Sequence, residues 1–275
     1  MKIFKYYIKS LFLSKETFFW SIIFVVFWLF MGAYLFSKGM PKDVIAFYEV
    51  KIGYTASWYG AAGTFSLAAL CVSLCYYFLF ITSSLPYIVK YGKISTISFF
   101  SQIILGTFLY SSFLAAILII CTYGIFSHAF SYNLLPANPL LAFLIIGISG
   151  IFYYLLAATI IFILILIKKV KSVRLVSFFP MMINFALVYF QIFGVANQVI
   201  VYASPFNNIY TLTAYAYFGK PIPLKWGELL TKESILIHPR YSMIILLIWI
   251  IILFVIDIYL MRSVKEIPIE EMREL

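Results

Sequence analysis

Charge is what this sequence has least of. Only 11% of its 275 residues are Asp, Glu, Lys or Arg, and 64% are hydrophobic, against about 25% and about 45–50% in soluble domains. So few charges cannot cover an apolar chain of this size in water. That excludes an ordinary soluble fold and leaves lipid as the solvent over most of the surface. Acidic residues are the scarcer sign, ten against twenty Lys and Arg, for a net charge of +10. The excess is no nucleic-acid footprint. Lys and Arg stand in short runs at the ends of apolar segments, where they set topology, and no basic stripe interleaved with exposed aromatics lies outside those segments. Nucleic acid is therefore not an expected partner; the bilayer is.

The residues of catalysis and metal binding are equally thin. No G-x-x-x-x-G-K-[ST] is present to cradle phosphates, and no H-E-x-x-H to hold zinc. Paired carboxylates, which an intramembrane hydrolase or a diphosphate-metal enzyme would need, are missing from the apolar runs. His128 and His238 stand alone in loops, without Cys or acidic company. The cysteines are Cys71, Cys75 and Cys121, all within apolar runs. Cys71 and Cys75 share a helical face, but a metal site wants more ligands, and small buried apolar residues are the plainer reading. No catalytic residue and no metal ligand is assigned.

What the sequence has in abundance is long apolar runs. Six of them, at about 17–36, 56–82, 99–126, 140–167, 175–195 and 243–261, are long enough as helices to cross a hydrocarbon core of about 30 Å. Ahead of them, residues 1–15 read MKIFKYYIKSLFLSK. Lys2, Lys5 and Lys9 fall on one helical face, and Ile3, Phe4, Tyr7, Ile8 and Leu11 on the other. That is a basic amphipathic helix suited to anionic headgroups. A signal peptide is the rival, but the next apolar run is longer than a typical h-region and no A-x-A-like site follows. The expected fold is an all-α membrane protein: an interfacial amphipathic helix (1–15), a six-helix transmembrane domain (16–262) and a polar tail (263–275).

Within the spans, Gly60, Gly63, Gly147 and Gly150 read as sites of close helix packing. Pro180 permits a kink in the fifth span. Asn184 and Gln102 read as interhelical hydrogen-bonding groups. Asp257 is the one ionisable residue inside a span. It reads either as a proton or cation site, or as a group that pairs or snorkels with Arg262 about one and a half turns on, the reading that proximity favours. Residues 197–241 still hold apolar pieces, 199–203 and 206–218, which read as helices in or dipping into the outer interface. Thirteen of the twenty Lys and Arg fall on the side of 1–15, 84–95, 168–174 and the tail, and seven on the other. The richer side is expected to be cytoplasmic, with both termini inside.

One short stretch, SLPYIVKYGKIS at 84–95, breaks the apolar pattern between the second and third spans on that inner side. Leu85, Tyr87, Ile88, Val89 and Tyr91 are too apolar for a free loop. They suit a small docking surface with a basic rim, or a segment lying flat on the inner leaflet.

In layout the chain resembles the ABC-2 type permeases, the membrane subunits of ATP-binding-cassette exporters. The likeness rests on MKIFKYYIKSLFLSK running straight into the first span, on six spans, on SLPYIVKYGKIS, and on SPFNNIYTL at 204–212 after the fifth span. The long polar segment 219–241 departs from it. The resemblance implies a two-fold membrane dimer, either a homodimer or a related heterodimer, in the plasma membrane. It also implies a separate ATPase subunit that binds Mg-ATP, this chain holding no cofactor and being no enzyme itself. It places the coupling element on Leu85, Pro86, Tyr87, Ile88, Val89, Lys90, Tyr91 and Lys93. The expected function is outward movement of an unidentified amphipathic or hydrophobic substrate. Two other classes stay open: a membrane-integral enzyme acting on a lipid-borne substrate, and a non-transporting membrane scaffold.

The charge split carries a direct test. In a cysteine-free background, cysteines replacing Lys42 and Lys225 are expected to react with an impermeant thiol reagent in intact cells, and one replacing Lys171 to stay unlabelled. Labelling at Lys171 overturns the orientation.

Overall fold

The computed structural model describes residues 2–39, 47–92, 96–194, 196–226, 229 and 234–263. Among them, six helical segments are long and apolar enough to cross a membrane: Lys15–Gly39, Tyr48–Thr82, Ile97–Phe130, Pro139–Leu166, Val170–Ile192 and Pro239–Met261. The protein is an all-α membrane protein.

Helix α1 (Lys2–Leu13) ends at Ser14, whose hydroxyl accepts the Thr17 amide at 3.2 Å and caps α2 (Lys15–Phe18). A π-helical turn (Phe19–Ile23) joins α2 to α3 (Phe24–Tyr34), so the first span is one rod with a bulge. The amphipathic helix read from the sequence is present, and part of its apolar face turns to protein: Tyr7 and Leu11 are buried, while Tyr6, Phe12 and Leu13 stay exposed. The Tyr7 ring covers Gly106, where a Cβ would come within 2.6 Å of it, and its hydroxyl shares a 2.5 Å hydrogen bond with Thr107. Burial pushes the Tyr7 phenol above its ordinary value, opposed by that hydrogen bond, so the hydroxyl stays intact as a donor. Lys5 and Lys9 remain exposed; the Lys2 side chain lies outside the described residues.

Helix α4 (Tyr48–Gly92) is the longest element, 45 residues, which at about 1.5 Å per residue is roughly twice the hydrocarbon thickness. It starts earlier than the expected span 56–82, because the residues from 48 to 55 are themselves amphipathic. Val50 and Ile52 are buried, while Glu49 pairs with Lys220 at 2.6 Å and Lys51 sits 3.8 Å over the Tyr132 ring. At its other end the helix runs on through Pro86, so the expected break at 84 is absent; a proline costs one backbone hydrogen bond and does not by itself end a helix.

Helix α5 (Thr96–Phe130) leads by a short loop to α6 (Pro139–Leu166), which Pro139 opens at a position where its missing N–H costs nothing. The basic turn at Lys168 follows, then α7 (Val173–Val176) and α8 (Phe179–Ile192). Pro180 lies in the first turn of α8 and starts that helix. The kink expected there does not occur, because the chain already breaks at 177–178.

The next pieces, α9 (Gln198–Ala203) and α10 (Pro205–Phe218), are capped by Asn197 and Ser204. Helix α10, one of the two apolar pieces of 197–241, is an interior helix. It is buried on nearly every side, from Pro205 to Tyr217, among α4, α6, α8 and α11 (Pro239–Ser263). Its start meets the middle of α6, with the Phe206 ring 5.7 Å from Phe152 and 5.9 Å from Tyr153. Its end stops at Gly219 (φ +81°), where the amides of Ala137 and Asn138 bond its last carbonyls and Tyr217 bonds Leu134 O. Beyond it, Ile222–Pro223 (β1) pairs antiparallel with Leu236–Ile237 (β2), burying Ile222 and Ile237.

Helices α5 and α6 approach closely through small residues. A Cβ on Gly147 would lie 2.5 Å from Ser112 Oγ, and one on Gly150 would fall on the Ser111 hydroxyl. Gly150→Leu is therefore expected to cost about 1–3 kcal/mol or more by overpacking, read as a lower thermal midpoint of the purified protein. Gly124→Ala, which meets nothing within 4 Å, should be neutral or slightly stabilising.

Candidate functional site

Three helices leave a gap between them. The first, second and fifth spans enclose a cavity of about 130 Å³, lined by Phe24, Val25, Trp28 and Leu29 of α3, Trp58, Ala61, Ala62 and Phe65 of α4, and Met181, Phe185 and Tyr189 of α8. Each contribution follows helical spacing, so each helix gives the cavity one face. The two alanines make the room, and the aromatic rings make the walls.

The rings hold one another in place. Trp58 packs against Gly32, where a Cβ would lie 2.5 Å from its ring. It also stacks on Phe36 (5.7 Å, 12°), which stacks in turn on Trp28 (6.5 Å, 6°). Tyr54 donates to the Gly32 carbonyl at 2.9 Å and pins this corner. Across the gap, Phe185 lies 4.3 Å from Tyr189 and 5.4 Å from Phe65. The π-helical turn ends where the cavity begins, and Ser66 of α4 donates to the Ser21 carbonyl within that turn at 2.7 Å. Such a lining has little to offer a charged group. It suits flat or chain-like apolar matter.

The opposite faces of α4 and α8 are polar and closed. On α8, Asn184 and Gln191 are buried. Tyr153 of α6 donates to Asn184 Oδ1 at 3.0 Å; Gln191 Nε2 donates to Thr211 at 3.1 Å; Asn207 Nδ2 donates to Gln191 Oε1 and to the Leu187 carbonyl, both at 2.9 Å. On α4, Ser57 bonds the Tyr210 hydroxyl at 2.9 Å, and Trp226 Nε1 reaches the same oxygen at 2.6 Å. Gly60 lets the Tyr210 ring lie flat on α4, with a Cβ there only 2.9 Å from it, and Gly63 faces Thr213 and Ile146. Helix α8 is thus fastened to α10 by amides, and faces α3 only across the cavity.

The residues singled out from the sequence fall elsewhere. The backbone of Leu85, Pro86, Tyr87, Ile88, Val89, Lys90 and Tyr91 continues α4. Their side chains lie outside the described residues, as does Lys93. Gly60 and Gly63 meet α10, and Gly147 and Gly150 meet α5. Among the described residues Gln102 bonds within its own helix, to Ser98. Tyr34 bonds His128 Nδ1 at 2.7 Å, and Cys71 and Cys75 are fully buried. Asp257 does not snorkel; it is fully buried against α6. The cavity residues were not singled out beforehand. The series Met181, Phe185, Tyr189 is legible as a stripe, but a lipid-facing stripe has the same spacing. The chain matches no family model, no curated protein and no solved structure.

The amide cluster yields a test. Asn207→Leu removes a buried donor from two acceptors, and is expected to cost about 1–3 kcal/mol in a thermal melt of the purified protein. Val199→Ala, at an exposed position, serves as the neutral control.

Proposed function

We propose that this chain is the membrane subunit of an exporter driven by a separate ATP-binding-cassette ATPase, and that the cavity between α3, α4 and α8 receives its hydrophobic or amphipathic cargo. The observation that carries this reading is the continuity of α4. The same helix supplies the cavity wall at Trp58, Ala61, Ala62 and Phe65 and runs without interruption to 85–92. A push on its inner end reaches the cavity through one hydrogen-bonded rod. A second copy of the chain, or a related one, completes the membrane body. Both termini lie on the cytoplasmic face of the plasma membrane, and Mg-ATP belongs to the partner.

The apolar composition of 85–91 supports a docking role. Large apolar side chains desolvated against a partner contribute on the order of 1–2 kcal/mol or more each. Two unpaired charges in the same contact would cost several kcal/mol.

Two measurements test the reading. The pure chain is expected to hydrolyse no ATP, with turnover appearing only alongside a co-purifying ATPase. The double variant Tyr87→Asp, Ile88→Asp is expected to insert and purify normally yet to lose the ATPase in pull-down. ATP hydrolysis by the rigorously pure chain sinks the reading. Retained partner affinity in the double variant moves the coupling surface away from 85–93.

A further inference from the structure

The last span is the least enclosed of the candidate spans: its outward residues, from Ile244 through Ile251 to Tyr259, are exposed and apolar. Its inward stripe is Leu246, Leu253, Asp257 and Met261, all buried. The acid in that stripe faces α6, where the Thr159 hydroxyl donates to Asp257 Oδ1 at 2.5 Å. Asp257 Oδ2 is equally buried and has no hydrogen-bond partner among the described residues.

The groups that could balance a charge there are few. From α6, Tyr154 lies within electrostatic range of the carboxyl, and Tyr153 is bonded to Asn184. From α10, Tyr210 is tied to Ser57 and Trp226, and Tyr217 to Leu134. From α9, Tyr202 accepts the His238 amide. On α11 itself Tyr259 points outward, and the Arg262 side chain lies outside the described residues. No Lys, Arg or His among the described side chains pairs with Asp257. A carboxylate with one hydrogen bond, one bare oxygen and no counter-charge is a costly thing to hold inside a membrane body. A carboxylic acid needs no counter-charge, and a neutral O–H without a partner costs far less to bury than a bare charged oxygen.

We propose that Asp257 is an intramembrane proton-binding site that clasps the last span to α6. One proton adds to Oδ2, and the Thr159 bond to Oδ1 stays. When the proton leaves, the carboxylate requires water or a cation in the seam, which parts α11 from α6. The site stands whether or not the chain is an exporter subunit, since neither the cavity nor 85–93 enters it.

The test uses the full chain in lipid nanodiscs at neutral pH. The infrared carbonyl band of a carboxylic acid is expected in the wild type. It should be lost in Asp257→Asn, which keeps an acceptor for Thr159 and so keeps the fold, and should shift in D2O. Dicyclohexylcarbodiimide, which attacks the acid form from the lipid, is expected to modify Asp257 in the wild type and to leave the variant's corresponding peptide unmodified. Absence of the acid band overturns the proposal. So does an acid band that emerges only on Arg262→Ala, which marks an ion pair instead. A band present but unmoved in D2O also overturns it, because a locked proton makes the group a fixed hydrogen-bond partner.

Discussion

The architecture depends on one constraint: a helix with no lipid face must find partners for its polar groups within the protein. Helix α10 is that helix. It carries Asn207, Asn208, Thr211 and Thr213, all fully buried, and partners meet the amide donors and the threonine hydroxyls, while the Asn207 and Asn208 Oδ1 atoms have no partner among the described residues. Asn208 turns back onto the Tyr202 and Ser204 carbonyls at 2.7 and 2.8 Å, Thr213 onto Ile209, and Asn207 across to α8. In lipid an unanswered polar group costs several kcal/mol, so the inward polar residues of α8 and α4 are arranged around these bonds. The small residues on α4 follow from the same demand, since Gly60 admits the ring whose hydroxyl Ser57 and Trp226 share.

That arrangement divides the molecule into a half joined largely by hydrogen bonds and a half joined largely by rings. Around α10 the contacts are hydrogen-bonded and directional. Around the cavity they are mostly ring against ring, with the Tyr54 bond to the Gly32 carbonyl as the directional exception. The boundary runs lengthwise through α4 and α8, each with one face in either half.

Much of this was legible in the sequence, and the reasons differ from place to place. Spans announce themselves because lipid demands runs of apolar residues, whatever the helices pack against. The glycines at 60, 63, 147 and 150 signalled close approach because a missing Cβ has few other uses in a span. The extent of α4 was not legible. Glu49 and Lys51 look like loop residues until the alternation with Val50 and Ile52 is matched to Lys220 and Tyr132, which are distant in sequence. The burial of α10 was hidden for a similar reason: its asparagines and threonines suggest water, and only the partners on α8 and at Tyr202 and Ser204 make them interior residues. Tyr7 looked lipid-facing because apolar faces that seek lipid and those that seek a glycine on another helix have the same composition. The cavity left no mark at all, since a void is defined by what three separate helices fail to fill.

The unbroken run of α4 has a consequence for the length of the chain itself. Every residue in an α-helix turns the next by about 100° and advances it by about 1.5 Å. Between Phe65 at the cavity and Leu85 no loop exists to absorb an error. The number of residues separating them is thus a phase as well as a distance. One residue more or fewer would leave the cavity wall where it is and swing the inner end about a quarter-turn round the helix axis. Such a helix tolerates changes of residue type far better than changes of residue count.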